Sequence, residues 1–379
     1  MNFKLSKEHQ LAQNLFRDFA DKEVAPIAHE IDENERFPVE TVEKMKKLGF
    51  LGIPYSKDYG GQGCDDLTYV LMMEQLGRVC GSTAIIASVH TSLCCGVLNS
   101  SGSEEQKQKY LRPLCDGRFL GAFGLTEPSA GTDAASQCTH AVLDGDSYVL
   151  NGSKIFITNS GWADVYTIFA MTNKALGNKG ISCFIVPKDT PGFKVGKPEL
   201  KMGIRASTAC ELIFSNCRIP KENLVGQEGK GFGIAMKALD GGRIGVAAQA
   251  LGLAQGALDN VVAYVKERKQ FGRPLASFQN TQFTLADMQT RVQAARWMVY
   301  SAALSVDEGE RYTVPAAQAK LFAAETASYV TNRAVQLMGG YGFMREYPVE
   351  RMMRDAKITE IYEGTSEVMR MVISGQLLK

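Results

Sequence analysis

The sequence predicts a multidomain α+β chain ordered helical, then β-rich, then helical. Three observations predict it. At 379 residues the chain exceeds what one hydrophobic core serves, which favours two or three domains. Apolar residues repeat with the helical period up to about residue 118 and again from about residue 228. Between those points, short β-rich runs alternate with Gly, Pro and Asn turns. The expected domains are therefore 1–118, 119–227 and 228–379.

In the first zone Leu11, Leu15, Phe16 and Phe19 recur at helical spacing, and Pro26 kinks or interrupts that helix. "VETVEKMKKLGF" and "LTYVLMMEQLGRVC" follow the same period. Residues 81–100 are mostly small and apolar, which predicts a buried helix, and "YGGQG" is a loop. In the second zone "SYVLNGSKIFITNS" reads as two strands turning at Asn151-Gly152, a strong hairpin signal. "GISCFIVPKDTPGFKVG" and "ACELIFSNCRIP" add further strands, so this zone is an antiparallel barrel or a sandwich. In the third zone the stretch from Ala235 to Gly272 is apolar nearly all round. That predicts a helix buried in its own core or against another subunit. Pro274 marks a boundary, and helical patterns follow over about 276–307 and 313–338.

Composition narrows the function. A net charge of +1 leaves no electrostatic footprint for nucleic acid or an acidic membrane. No run of 18 apolar residues occurs, so no membrane span is expected. Charges begin at Lys4 and acidic residues follow, unlike a secretory or transit leader; a cytoplasmic protein is expected. Nine cysteines, an odd number without C-x-x-C, read as reduced thiols. Four histidines form no ligand pair, so no metal is expected.

Five segments carry candidate chemistry. "GAFGLTEPSAGTDAAS" offers N–H groups and hydroxyls that suit a polar ring edge or a phosphate; read alone, it is an ordinary surface turn. "GQEGKGFG" matches neither a phosphate loop nor a dinucleotide fingerprint and reads as a linker. "ERKQFGRPLASFQ" has the cations and amide for a pyrophosphate, or is a solvated basic loop. "AVQLMGGYGF" ends a helix in two glycines. "AKITEIYEGTSEVM" places Glu363 between an aromatic residue and a glycine, as a solvated acid or as a base in a dry pocket.

Taken together and in this order, "GLTEPSAGTD", "KIFITN", "ERKQFGRPL", "QLMGGYGF" and "MRDAKITEIYEGTSE" resemble the acyl-CoA dehydrogenase family over essentially the whole chain. The resemblance is closest to its short-chain, butyryl-CoA-type bacterial members. It implies N-terminal helices, a middle antiparallel β-barrel and a C-terminal four-helix bundle. It also implies FAD at a subunit interface and a homotetramer, a dimer of dimers. Phe123, Leu125, Thr126 and Thr132 then line the flavin and the pantetheine, Thr132 serving both. Phe156, Ile157 and Thr158 meet the isoalloxazine. Arg268, Phe271 and Gln279 reach the FAD pyrophosphate and adenosine across the interface, with Gln336, Gly339 and Gly340 on the adenosine side and Thr365 and Glu367 as further contacts. Asp240, Arg243, Tyr362 and Gly364 lie at the acyl-CoA. Glu363 is the α-proton base, because Gly241 and Gly242 stand where some relatives place theirs.

The implied reaction interconverts a short acyl-CoA and its trans-2-enoyl-CoA. With no NAD(P) fingerprint in the chain, the family's electron-transferring flavoprotein is the expected partner. A branched or arylacryloyl substrate, an acyl-CoA oxidase and a non-redox enoyl-CoA hydratase or isomerase are the alternatives. "IIASVHTSL" aligns with the acyl-pocket wall, where His90 is a pocket residue or a core histidine.

Overall fold

The computed structural model describes residues 4–379. Ser6 caps helix α1 (Lys7–Phe19), its hydroxyl accepting the His9 N–H. The helix then widens through Ala20–Val24 and tightens through Ala25–Ile27, where Pro26 sits in a first turn that needs no donor from it. Asp65 caps α2 (Asp66–Val79) by accepting the Thr68 N–H at 2.8 Å. Next comes α3, Gly81–Ser101. It is long and apolar enough to cross a membrane, but 89% of its most apolar 18-residue window is buried inside the protein, as expected of a core helix.

The middle zone is one eight-stranded sheet. Its strands are β1 (Gly121–Gly124), β2 (His140–Asp144), β3 (Ser147–Thr158), β4 (Val165–Met171), β5 (Ile181–Pro187), β6 (Phe193–Pro198), β7 (Ala209–Pro220) and β8 (Leu224–Val225). They pair in the order β6-β7-β3-β2-β4-β5-β8, with β1 parallel to β4. Most pairs are antiparallel, as expected. No pairing among the described residues joins β6 to β8, so the sheet is open where a closed barrel was expected.

The expected hairpin at Asn151-Gly152 is absent. β3 runs straight through both residues, and the register against β7 shifts between Leu150 and Gly152. Gly152 has φ +136° and faces Thr139 so closely that a Cβ would lie 2.6 Å from it. Asn-Gly therefore serves a bulge, which needs the same backbone freedom as a tight turn. The turn lies earlier, at Gly145-Asp146, where Asp144 pairs with Ser147 and Gly145 has φ +63°.

The last zone is built on α4 (Gly231–Glu267), α5 (Gln279–Asp307) and α6 (Thr313–Met338). α4 is buried along its middle because it runs between α2 and α6. Gly256 lets it cross α2 closely: a Cβ there would meet the Arg78 carbonyl at 2.0 Å. On the side towards α6, Ala247, Ala250 and Ala254 belong to the same core as Ala316, Ala319 and Ala323 of α6. Two short helices follow, α7 (Pro348–Ile358) and α8 (Ser366–Leu377). α7 ties the zones together. Arg354 pairs with Asp32 at 2.6 Å, and the buried Asp355 carboxylate accepts the Ile204 N–H at 2.5 Å.

Candidate active site

The segment between α7 and α8 is too short to wander and is held at each step. Thr359 ends α7 by donating to the Ala356 carbonyl at 2.7 Å, and Thr365 caps α8 by accepting the Val368 N–H at 3.3 Å. Between them Glu363 has φ +53° and Gly364 φ +101°. Two successive left-handed residues are costly, at about 1–3 kcal/mol for the non-glycine one, and persist only when neighbours hold them. Arg243 Nε donates to the Glu363 carbonyl at 3.2 Å, and Lys320 Nζ to the Gly364 carbonyl at 2.6 Å. Arg243 also pairs with Asp240 at 2.5 Å, whose second oxygen accepts from the Thr313 hydroxyl at 2.8 Å.

This geometry turns the Glu363 side chain inward. Both carboxylate oxygens are buried and neither has a hydrogen-bond partner among the described residues. Burial pushes its pKa up to about 7, against the smaller opposing pull of Lys320 and Arg243. The carboxylate packs on Gly242 of α4 and near Leu93 of α3, where no side chain larger than hydrogen would fit: a Cβ on Gly242 would lie 2.0 Å from Oε2. Tyr362 donates its hydroxyl to Gln249, which in turn donates to the Gly81 carbonyl at 2.8 Å. Tyr69 donates to Ser88 at 3.3 Å beside Gly245. His90 belongs to the core: it is fully buried, Nδ1 accepts the Gly121 N–H at 2.9 Å, and burial lowers its pKa to about 3.

The loop after β1 is anchored from beneath. Lys154, with no exposed surface, donates to the Leu125 carbonyl, Glu127 and Gln137 at 3.0, 2.7 and 2.9 Å. Glu127 also accepts the Thr139 N–H at 3.0 Å, and the Thr126 carbonyl accepts from Ile155 at 2.9 Å. Leu125 and Thr126 are thus fixed against β3, Phe123 is buried and Thr132 is exposed. At the end of β3, Phe156 has φ +60° and is 62% exposed, Ile157 is buried and Thr158 half-buried.

The remaining predicted residues collect elsewhere. Arg268, Gly339 and Gly340 line a hollow of about 530 Å³, with the Arg268 guanidinium 5.2 Å from the Tyr341 ring centre. Phe271, on the ribbon after α4, is 93% exposed; Gln279 and Gln336 are exposed at the ends of α5 and α6, and Glu367 in the first turn of α8. Gly242 and Glu267 are 25 residues apart on α4, roughly 38 Å along its axis. One protomer therefore does not bring this hollow to Glu363. A second hollow, lined by Arg17, Glu74, Arg78 and Arg296, holds none of the predicted residues.

Sequence reasoning missed Lys320, Gln249, Lys154 and Glu127. For Lys320 and Gln249 a signal was present: each is a long polar side chain set in a mostly apolar helical run, Gln249 alone in its own.

Residues 6–118, 122–217 and 229–378 match the N-terminal, middle and C-terminal domains of acyl-CoA dehydrogenase. A short-chain specific acyl-CoA dehydrogenase of Clostridium acetobutylicum is 59% identical over 379 residues, covering all of both chains. The structure of butyryl-CoA dehydrogenase from Megasphaera elsdenii superposes with a TM-score of 0.99 at 51% identity, again over 100% of both chains. A chain from a structure described as the electron transferring flavoprotein of Acidaminococcus fermentans, concerned with flavin-based electron bifurcation, gives 0.99 at 54% identity with the same full coverage. With fold, motif order and whole-length identity in agreement, the chain belongs to the acyl-CoA dehydrogenase family.

Proposed function

We propose that this chain is an FAD-dependent short-chain acyl-CoA dehydrogenase. It interconverts a short acyl-CoA and its trans-2-enoyl-CoA and exchanges electrons with an electron-transferring flavoprotein. The observation that carries the reading is the Glu363 carboxylate, buried, unpaired and raised to about 7. A thioester α-proton is very weakly acidic, and a desolvated carboxylate is the stronger base for it.

The residues present fit a flavin. Phe156 turns an apolar ring outward at the end of β3 through a strained backbone, beside a loop that Lys154 and Glu127 hold rigid. At the other hollow, Gly339 and Gly340 have nothing within 4 Å of where a Cβ would stand, leaving room for a ligand to approach the backbone. Phe123, Leu125, Thr126, Ile157 and Thr158 would hold the ring, and Arg268, Phe271, Gln279, Gln336, Gly339 and Gly340 the adenosine side. When bound, FAD supplies the acceptor for the β-hydride.

The chain's own residues do the rest. Glu363 takes the α-proton. No described residue accepts its backbone N–H, which is therefore available to donate to the thioester oxygen as negative charge develops there. Tyr362 and Leu93 keep water from the carboxylate. Gln249 lies seven residues beyond Gly242 on α4, roughly 10 Å along the helix, and accepts the Tyr362 hydroxyl beside the base. A butyryl-sized acyl group is the reading that the likeness to short-chain and butyryl-CoA dehydrogenases supports. Because one protomer holds its adenosine-side hollow roughly 38 Å from its own Gly242, we infer that a neighbouring copy completes each site, in the homotetramer that the family resemblance implies.

The test is anaerobic bleaching of the enzyme-bound flavin by butyryl-CoA. Glu363→Gln is expected to keep its flavin and lose about 10²–10⁴-fold in reduction rate. Near wild-type bleaching by that variant overturns the assignment.

A further inference from the structure

Two lysines in this protein have no exposed surface, Lys154 and Lys320. They differ in how they are satisfied. Lys154 spends its three N–H donors on three acceptors, one of them a carboxylate. Lys320 makes one hydrogen bond among the described residues, to the Gly364 carbonyl at 2.6 Å. It projects from an alanine-rich stretch of α6 in which Ala316, Ala319, Ala323 and Ala324 are all buried. An ammonium there is costly to desolvate, and an apolar side chain of similar length would fill the volume without that cost. Its retention calls for a reason outside packing.

The charges around it supply one. Glu363, Arg243, Glu360 and Glu367 are the charges that act on Lys320. Arg243 is engaged by Asp240 at 2.5 Å, Glu360 by Lys357 at 2.7 Å, and Glu367 is exposed at the start of α8. Glu363 is the one buried carboxylate in the group without a hydrogen-bond partner. The Tyr69 and Tyr362 hydroxyls also lie in its field. We propose that Lys320 is a positioning residue for the base: it holds the Gly364 carbonyl so that the left-handed Glu363–Gly364 backbone aims the carboxylate inward, and it supplies an uncommitted buried cation, anchored one residue along the chain, for that carboxylate when it ionises.

Arg243 and Lys320 divide the labour. They hold consecutive carbonyls, Glu363 and Gly364, from two different helices. Arg243's charge is largely spent on Asp240, whereas that of Lys320 is not. Burial lowers the Lys320 pKa to about 8, which leaves it charged at neutral pH.

The inference rests on the proposed dehydrogenase reading for its activity arm and stands apart from it in its structural arm. Lys320→Met removes both the donor and the charge; Lys320→Gln keeps a donor for the Gly364 carbonyl and removes the charge. In the flavin-loaded enzyme, amide hydrogen exchange across residues 359–366 is expected to accelerate in Lys320→Met and to stay near wild type in Lys320→Gln. The midpoint of the rate–pH profile for flavin reduction by butyryl-CoA is expected to rise in both variants by about one pH unit or more, with substrate KM changing far less than the rate. Unchanged exchange in Lys320→Met overturns the backbone role, and an unchanged midpoint in both variants overturns the charge role. If no acyl-CoA bleaches the wild-type flavin, the functional reading fails, and the exchange experiment still decides whether Lys320 holds the loop.

Discussion

Gly242 touches the Glu363 carboxylate where any side chain would have to displace it: a Cβ would stand 2.0 Å from Oε2 and 2.8 Å from the Leu93 side chain. Both obstructing atoms are the ends of flexible side chains, so the fold can yield while the base moves. Gly242→Ala is expected to fold with near wild-type melting and bound flavin. Its rate of flavin reduction should fall at least about 10²-fold, the scale of a base lost from position. A rate within a few-fold of wild type shows that the carboxylate does not need its present place.

The base works against stability, and pH separates the two. Glu363 is raised from 4.5 to about 7. Between those values the native state holds a proton that the unfolded chain has released, so stability contributed by this group falls as pH rises through that window. The loss is at most about 3 kcal/mol. Activity runs the other way, increasing as Glu363 ionises near pH 7. Glu363→Gln should therefore melt higher than wild type at pH 8 and lose that advantage towards pH 5, as calorimetry across pH would show. Equal melting temperatures at pH 8 contradict a desolvated carboxylate.

Gln249 is expected to set chain length. Gln249→Ala removes the acceptor of the Tyr362 hydroxyl and shortens the side chain beside the base. The preference for hexanoyl- over butyryl-CoA should rise about tenfold, two methylenes contributing about 0.8 kcal/mol each. An unchanged kcat/KM ratio across an acyl-CoA series places the chamber floor elsewhere.

Lys154→Met would leave Glu127 buried without its cation. The expected cost is about 3–5 kcal/mol. Because the pair anchors the loop that carries Leu125 and Thr126, flavin occupancy should fall as well. Denaturant unfolding and the flavin-to-protein ratio measure the two effects separately, and full occupancy at lowered stability would detach the pair from the cofactor.

Much of this was legible in the sequence because it rests on local pattern. Leu11, Leu15, Phe16 and Phe19 announce α1 by spacing, and the long helical patterns of the third zone stand close to where they were read. The turn at Asn151-Gly152 was misread because a bulge and a hairpin ask the same thing of the backbone; only the pairing partner, β7, distinguishes them. The dryness of Glu363 was not legible at all. It depends on Gly242, 121 positions away, and on Leu93, farther still. Sequence marks the type of a residue more readily than the solvent around it.

The vacancy at Gly242 also constrains how this site can change by descent. A side chain at 242, carboxylate included, can be added only if Glu363 is displaced from its present place. Moving the base to α4 therefore takes two substitutions, and the first of them, in either order, either removes Glu363 or displaces it. The present arrangement is protected by the steps that separate it from its alternative.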